Sequence, residues 1–243
     1  MYGIILNSGI GSRLGDLTEN RPKGLVEVKQ GVSLLSRQID FLLACEVTKI
    51  IITTGYLEDQ IQLYVERKFP SVDITLVSNE LYRSTNYIVS LDQLSHIPFD
   101  ARVILMHGDL VFSQDILREI KDLEGSRVIV DSLAPIPQKD FKARLNEDGS
   151  VCEIGVNVFG KDCVACQPLY KMEPEFWRAW QQRIREFCLA GDTKVYAENA
   201  LNTMLEEHLL LPFDVAGRLC MEIDTLDDLE KAKSLLALEK EGN

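Results

Sequence analysis

A chain that runs Tyr2-Gly3-Ile4-Ile5-Leu6 straight into Asn7-Ser8-Gly9-Ile10-Gly11-Ser12-Arg13-Leu14-Gly15 has few folds open to it. The first residues are continuously apolar rather than alternating, the pattern of a strand buried on both faces of a parallel sheet. A glycine-rich loop therefore leaves a central strand. Gly9 and Gly11 let the backbone turn tightly and bring bare N–H groups against a ligand, forming a concavity suited to phosphate oxygens. Arg13, and Lys23 of the following Arg21-Pro22-Lys23, bring two full positive charges to the same loop. The simplest ligand for that combination is a polyphosphate, although the glycines alone would serve a surface strand-to-helix turn equally well.

Two familiar phosphate loops do not fit. A Walker A loop needs Gly-x-x-x-x-Gly-Lys-Ser/Thr, and no such lysine and hydroxyl pair is present. The dinucleotide fingerprint needs a glycine where Leu14 stands, and it must open a helix directly, whereas here the loop runs on to Pro22.

Further along, strand and helix patterns alternate. Residues 33–45 carry apolar side chains at helical spacing, with Ser33 as N-cap. Residues 49–53 read as a second buried strand, 57–68 as a helix and 72–77 as a third strand. This order implies an α/β fold with a doubly wound, mostly parallel sheet, whose ligands sit at the carboxyl ends of the strands. Residues 102–107 form another such strand, running into Gly108-Asp109. An aspartate there projects into the cleft and offers a hard oxygen to Mg²⁺, or serves as a turn residue. His107 lies on the same strand face but reads as a packed side chain, because hard Mg²⁺ prefers oxygen.

From residue 128 the pattern changes to short extended segments (128–131, 141–145, 151–156 and 163–169), with Asn146-Glu147-Asp148-Gly149 as a hairpin turn. These imply a small antiparallel subregion. Residues 173–189 are a helix whose Phe176, Trp177, Trp180, Ile184 and Phe187 make one core-facing stripe. Residues 221–232 read as a strand entering a helix, with Asp224 or Thr225 as N-cap.

A net charge of −12 argues against nucleic acid or an anionic membrane as partner, while leaving room for a nucleotide in a locally basic cleft. No apolar run approaches membrane-spanning length, and no signal peptide precedes the first strand; the expected location is the cytoplasm. Six cysteines without a second Cys pair or a nearby histidine read as reduced, mostly buried thiols. No linker or internal repeat divides residues 1–243, which are expected to form a single domain.

The string Gly-x-Gly-Ser-Arg-Leu-Gly-x-Leu-Thr-x-x-Arg-Pro-Lys-x-Leu-Val (residues 9–26) resembles the signature loop of the nucleotidyltransferases that make activated sugars and alcohols, the pyrophosphorylase family. Relatives usually carry Ala-Ala-Gly where this chain has Asn7-Ser8-Gly9. Residues 79–91 would otherwise read as a polar loop entering a helix capped by Asn86 or Thr85. They resemble the Asn-Asn-x-x-Ser-Leu segment of cytidylyltransferases acting on phosphocholine and similar alcohols or phosphonates. Glu222-Ile223-Asp224-Thr225 resembles the family's carboxy-terminal metal motif, and Gly108-Asp109 its other metal position.

The resemblance implies a Rossmann-like fold, with residues 1–127 as the nucleotide-binding half and 128–243 as the acceptor-binding half. It implies that Asn7, Ser8, Gly9, Gly11, Ser12, Arg13, Asn86 and Ser90 bind the nucleotide, and that Lys23 and Arg13 are catalytic. Asp109 and Asp224 would hold Mg²⁺. Gln167, Tyr170 and Glu198 would bind the acceptor, although Tyr170 also reads as a half-buried aromatic and Glu198 as a first-turn acid favoured by the helix dipole. The implied reaction joins CTP to a small phosphorylated metabolite or phosphonate such as phosphocholine, aminoethylphosphonate or an amino-acid-derived phosphate, releasing pyrophosphate. A sugar-1-phosphate nucleotidyltransferase using UTP, dTTP or GTP and a non-catalytic nucleotide-binding regulator are the alternatives. Apolar patches on the carboxy-terminal helices are where a homo-oligomer would pair.

Overall fold

The structure, a computed structural model, describes residues 1–238. In the first part of the chain come β1 (Tyr2–Leu6), a short α1 (Asp16–Glu19), β2 (Glu27–Lys29), β3 (Val32–Ser33), α2 (Leu34–Ala44), β4 (Lys49–Thr54), α3 (Glu58–Lys68), β5 (Asp73–Ser78), α4 (Tyr87–Asp92), β6 (Val103–His107), β7 (Leu110–Phe112) and α5 (Gln114–Asp122). The second part has β8 (Ser126–Asp131), β9 (Lys142–Leu145), β10 (Val151–Gly155), β11 (Cys163–Met172), α6 (Pro174–Ala190), α7 (Ala197–Asn202), β12 (Leu210–Asp214), β13 (Cys220–Glu222) and α8 (Leu226–Leu238).

A nine-stranded sheet carries the molecule, with β10, β9, β11, β6, β1, β4 and β5 side by side in that order and β8 and β12 branching from β11. β6, β1, β4 and β5 are mutually parallel, so the carboxyl ends of β1, β4 and β6 meet at Leu6, Thr53 and His107. β11 is antiparallel to β6, β8 and β9. The antiparallel segments expected of the second half thus extend the parallel sheet rather than forming a sheet of their own.

The continuous apolar runs have a direct cause. Ile4, Leu6 and Ile51 pack into one apolar cluster while Ile5, Ile50 and Ile52 pack into another. Successive strand residues point to opposite faces, and both faces are covered. On one face lie α4, α6 and α7, with Trp177 and Trp180 fully buried; on the other lie α2, α3 and α5. Side chains of this size each contribute about 1.5–3 kcal/mol on burial.

Helix ends follow the local sequence. Ser33 Oγ accepts from the Ser36 N–H at 3.1 Å, and Ser36 Oγ accepts from the Ser33 N–H at 3.1 Å, a reciprocal cap that starts α2. α6 opens with Pro174 and stops at Gly191, whose φ of +90° suits glycine. At α8, Thr225 provides the cap: Asp228 N–H donates to Thr225 Oγ1 at 3.2 Å, and Thr225 N–H donates to Asp228 at 2.8 Å. The Asp224 carboxylate is thereby left to other work. All six cysteines are free thiols, with Cys45, Cys163, Cys166 and Cys220 buried.

Candidate active site

Two adjoining cavities open at the carboxyl ends of the parallel strands. The larger, about 710 Å³, lies over the end of β1. Its floor is a chain of short polar side chains: Asn79 Nδ2 donates to Ser90 Oγ at 3.0 Å, Ser90 Oγ to Ser8 Oγ at 3.1 Å, and Ser8 Oγ to Thr53 Oγ1 at 2.9 Å. Asn86 forms part of the rim and also caps α4, its Oδ1 accepting from the Tyr87 N–H at 2.8 Å.

Three glycines let this floor close. A Cβ on Gly24 would stand 2.4 Å from Asn7 Nδ2, one on Gly108 would stand 2.6 Å from the Leu6 carbonyl oxygen, and one on Gly11 would stand 2.9 Å from Lys23 Cβ. Gly11 is also left-handed, with φ of +70°. Its role is therefore to admit the Lys23 stem as well as to turn the loop. Asn7 Nδ2 is buried with no hydrogen-bond partner of its own, and Asn7 lines the cavity. A ligand acceptor would satisfy it.

At the junction of the cavities stands a charge cluster. β7 pairs antiparallel with β13, Leu110 opposite Glu222, and the Ile223 N–H donates to the Asp109 carbonyl at 3.0 Å. This ribbon brings Asp109 and Asp224 around one ammonium: Lys23 Nζ lies 2.7 Å from Asp109 Oδ2 and 2.8 Å from Asp224 Oδ1. Arg13 reaches Asp224 Oδ1 at 2.9 Å from the solvent side. Burial opposes the charged form of both partners, yet the mutual attraction wins. The Asp109 carboxyl is held below the usual carboxylate range, and the Lys23 ammonium is held above its ordinary value.

His107 and Glu222 are a pair that sequence reading did not assemble. His107 Nδ1 lies 3.3 Å from Glu222 Oε1, across 115 residues of chain. Burial disfavours the imidazolium, but the Glu222 hydrogen bond and charge outweigh it, so the His107 pKa is raised; burial raises that of Glu222. A signal was present: His107 and Asp109, like Glu222 and Asp224, are spaced two apart and so share a face of an extended segment. One ligand atom each from His107, Asp109 and Glu222 lies within 4.8 Å of the others. The two carboxylates of that set suit a hard divalent cation: Asp109 Oδ1 is buried with no hydrogen-bond partner while its other oxygen holds Lys23.

Residues 3–145, more than half of the chain, match the model of the MobA-like NTP transferase domain. The chain belongs to that family. A choline-phosphate cytidylyltransferase of Haemophilus influenzae is 36% identical over 116 residues, spanning 48% of this chain and 47% of that relative. The aligned part is therefore about half the length of either protein. A 2-aminoethylphosphonate cytidylyltransferase of Lancefieldella rimae is 25% identical over 230 residues, 93% of this chain and 89% of that one. Among solved structures, the CTP:phosphocholine cytidylyltransferase of Streptococcus pneumoniae superposes with a TM-score of 0.79 at 24% identity, over 97% of this chain and 98% of the other. At that identity the likeness establishes the shared fold.

In this member of the MobA-like NTP transferase family, the sequence-predicted residues separate by where they stand. Asn7, Ser8, Gly9, Asn86 and Ser90 line the larger cavity together with Lys23 and Asp109; Arg13, Asp109 and Asp224 line the second. Gly11 supports Lys23, and Ser12 lies exposed in the turn that follows, outside both linings.

The residues expected on the acceptor side lie outside both cavity linings. Tyr170 is 1% exposed and Glu198 1% exposed, and neither lines a cavity. The Tyr170 hydroxyl donates to Glu198 Oε1 at 2.8 Å, and the Tyr87 hydroxyl donates to Glu198 Oε2. Buried beside that carboxylate, both phenols are pushed well above their ordinary pKa. Tyr87 lines both cavities, and Glu198, held also by Tyr170, accepts from its hydroxyl. Gln167, on β11, likewise lies outside both linings, with its Oε1 buried and unpaired. The second cavity takes its walls instead from Tyr87, Phe141 and Tyr196, with Lys139, Asp140 and Val156 at its margin. Phe141 and Tyr196 meet edge to face at 5.1 Å.

Proposed function

We propose that this protein is a Mg²⁺-dependent cytidylyltransferase that joins CTP to a small phosphorylated metabolite or phosphonate and releases pyrophosphate. The observation that carries the reading is the meeting of Lys23, Asp109 and Asp224 where the two cavities join. One cavity then takes the nucleotide and the other the acceptor, with the charges at the point of transfer. The named relatives, which act on choline phosphate and 2-aminoethylphosphonate, support the same reading.

In the reaction, an acceptor phosphate or phosphonate oxygen attacks the α-phosphorus as the bond to the bridging oxygen breaks and pyrophosphate departs. A phosphate nucleophile is already anionic near neutral pH, its second pKa being about 6, so no general base is needed. Asp109 and Asp224 would hold Mg²⁺, which when bound neutralises charge on the phosphate oxygens. Lys23 stabilises the charge developing on the transferring phosphoryl group, and the Gly9-to-Arg13 loop offers N–H groups and a guanidinium to the remaining phosphates. Asn7 and the Asn79–Ser90–Ser8–Thr53 chain orient the nucleoside.

Three aromatic rings with Asp140 and Glu222 nearby make the acceptor wall suited to a compact ammonium-bearing head group rather than a sugar ring. The test is pyrophosphate release with Mg²⁺, supplying CTP, UTP, dTTP, ATP and GTP against phosphocholine, 2-aminoethylphosphonate, phosphorylated amino acids and sugar 1-phosphates. Release confined to CTP and a non-sugar acceptor is the expected result. Release only with a sugar phosphate would move the protein to the sugar nucleotidyltransferases, and saturable nucleotide binding without release across the panel would favour a regulator.

A further inference from the structure

Lys142 opens β9 and is 0% exposed, yet among the described residues no carboxylate pairs with it. A buried ammonium that lacks an anionic partner is costly unless all three of its protons find acceptors. They do so here. Lys142 Nζ donates to the Pro137 carbonyl at 3.1 Å and to the Val156 carbonyl, and it stands 4.2 Å above the centre of the Phe159 ring. The two carbonyls belong to two separate segments that contribute to the second cavity. Pro137 precedes Lys139, Asp140 and Phe141, and Val156 follows β10; all four of these lining residues stand in those two connections.

The connection from β8 to β9 has little else to hold it in place. Asp131 Oδ1 accepts from the N–H groups of Leu133 and Ala134 at 3.0 and 3.2 Å, fixing where it leaves β8. The Phe141 carbonyl accepts from the Cys166 N–H at 3.0 Å, fixing where it returns. Among the described residues, the Lys142 bond to Pro137 is the single hydrogen bond holding residues 135–140 between these ends.

We propose that Lys142 is a positioning residue that sets the shape of the acceptor cavity by tying two of the segments that line it to one buried ammonium. This assignment rests on the acceptor role given to the second cavity under the proposed function. The lysine itself does not reach the acceptor. It acts through the carbonyls of Pro137 and Val156, and so through the placement of Lys139, Asp140 and Phe141.

The test compares the parent with Lys142→Met, which keeps the length and loses the ammonium, and with Phe159→Leu, which removes the ring face but leaves both carbonyl bonds. The expected result for Lys142→Met is a rise on the order of tenfold in KM for the acceptor, with KM for CTP and kcat at saturating acceptor within about twofold of the parent. Phe159→Leu should move the same constant in the same direction by a smaller factor, which keeps the test decisive if Lys142→Met does not fold. Limited trypsin digestion is read in parallel: cleavage after the exposed Lys139 should be faster in the variants, and cleavage after Arg13 should not. An acceptor KM unchanged, or a CTP KM raised equally, overturns the proposal. So does equal cleavage after Lys139 in parent and variant, whether or not the parent turns over. A parent without turnover on any acceptor counts instead against the proposed reaction, and the digestion result alone then decides the role of Lys142.

Discussion

The two cavities share the wall formed by Tyr87, His107 and Asp109, yet they are built in opposite ways. The first, proposed for the nucleotide, is made largely of backbone turns, glycines and short polar side chains set at the ends of parallel strands. Much of it comes from the adjacent stretch 6–24, and its precision is that of the sheet beneath it. The second, proposed for the acceptor, is assembled from long side chains on α4, β6, β13 and the connections before β9, after β10 and before α7, with the buried Glu198 bonded to Tyr87 and the buried Lys142 bonded to two of those connections. A site made of strand ends tolerates little change in backbone or charge. One made of braced side chains can be retuned one brace at a time.

The sharpest way to break this contrast is to remove the ammonium that stands where the two cavities join. Lys23→Ala should lower turnover by a factor on the order of 10²–10³ with the fold intact by circular dichroism, because it removes an ammonium aimed at developing phosphoryl charge. Near-parental turnover in the folded variant would sink the role given to that lysine. Asp109→Asn should have a loss of the same order and should also weaken Mn²⁺ binding measured by electron paramagnetic resonance; unchanged Mn²⁺ affinity would remove Asp109 from the metal site.

A smaller effect should separate the two sides. Gly24→Ala places a methyl group 2.4 Å from Asn7 Nδ2, in contact with the nucleotide floor alone. KM for CTP should rise on the order of tenfold while KM for the acceptor stays within about twofold. Equal shifts in both constants would show that the cavities are not built independently.

Tyr87→Phe works from the other direction. It keeps the ring that lines the acceptor cavity but removes a hydroxyl that donates to Glu198, leaving one buried carboxylate oxygen without that donor. A stability loss of about 1–3 kcal/mol by urea unfolding, with a several-fold rise in acceptor KM, is the expected outcome. No change in either would mean that Glu198 does not brace the wall.

The least effect on activity is expected at Glu173, outside both cavity linings. Burial opposes its ionisation, but the hydrogen bonds from Lys171 and from Arg102, the latter at 3.0 Å, outweigh burial and hold its pKa below the ordinary 4.5. A carboxyl whose folded pKa is depressed contributes stability that is fully present above its unfolded pKa and is lost as pH falls through the folded one. Glu173→Gln should therefore cost about 1 kcal/mol at pH 7 and flatten the acid limb below about pH 4.5, with kinetic constants untouched. An acid limb identical to the parent's would assign the pH dependence elsewhere.

Legibility from sequence follows the same division. Wherever a signal is local, it was present in order along the chain: the continuous run of β1, the Ser33 cap, the Gly9–Gly11 turn, Lys23 after Pro22, and an aspartate at the end of β6. For Tyr170 and Glu198 two readings stood open, because side-chain type does not say which way a wall faces. A tyrosine and a glutamate serve equally well in a pocket or as each other's partner behind it. Gly24 went unnoticed because its reason is the Asn7 side chain, which reaches it only after the loop has folded back.

By itself, then, the sequence determined the parallel sheet, the loop at its centre and the charged residues the loop would need, because these depend on periodicity and on neighbours a few residues away. Only the tertiary structure decided that Asp224 meets Lys23 across 201 residues, that Glu222 faces His107, and that Lys142 donates to two separate connections. Those contacts are made by the β7–β13 ribbon and by two separate connections converging on one ammonium. No local preference encodes them, since their energy exists only when the whole sheet has closed.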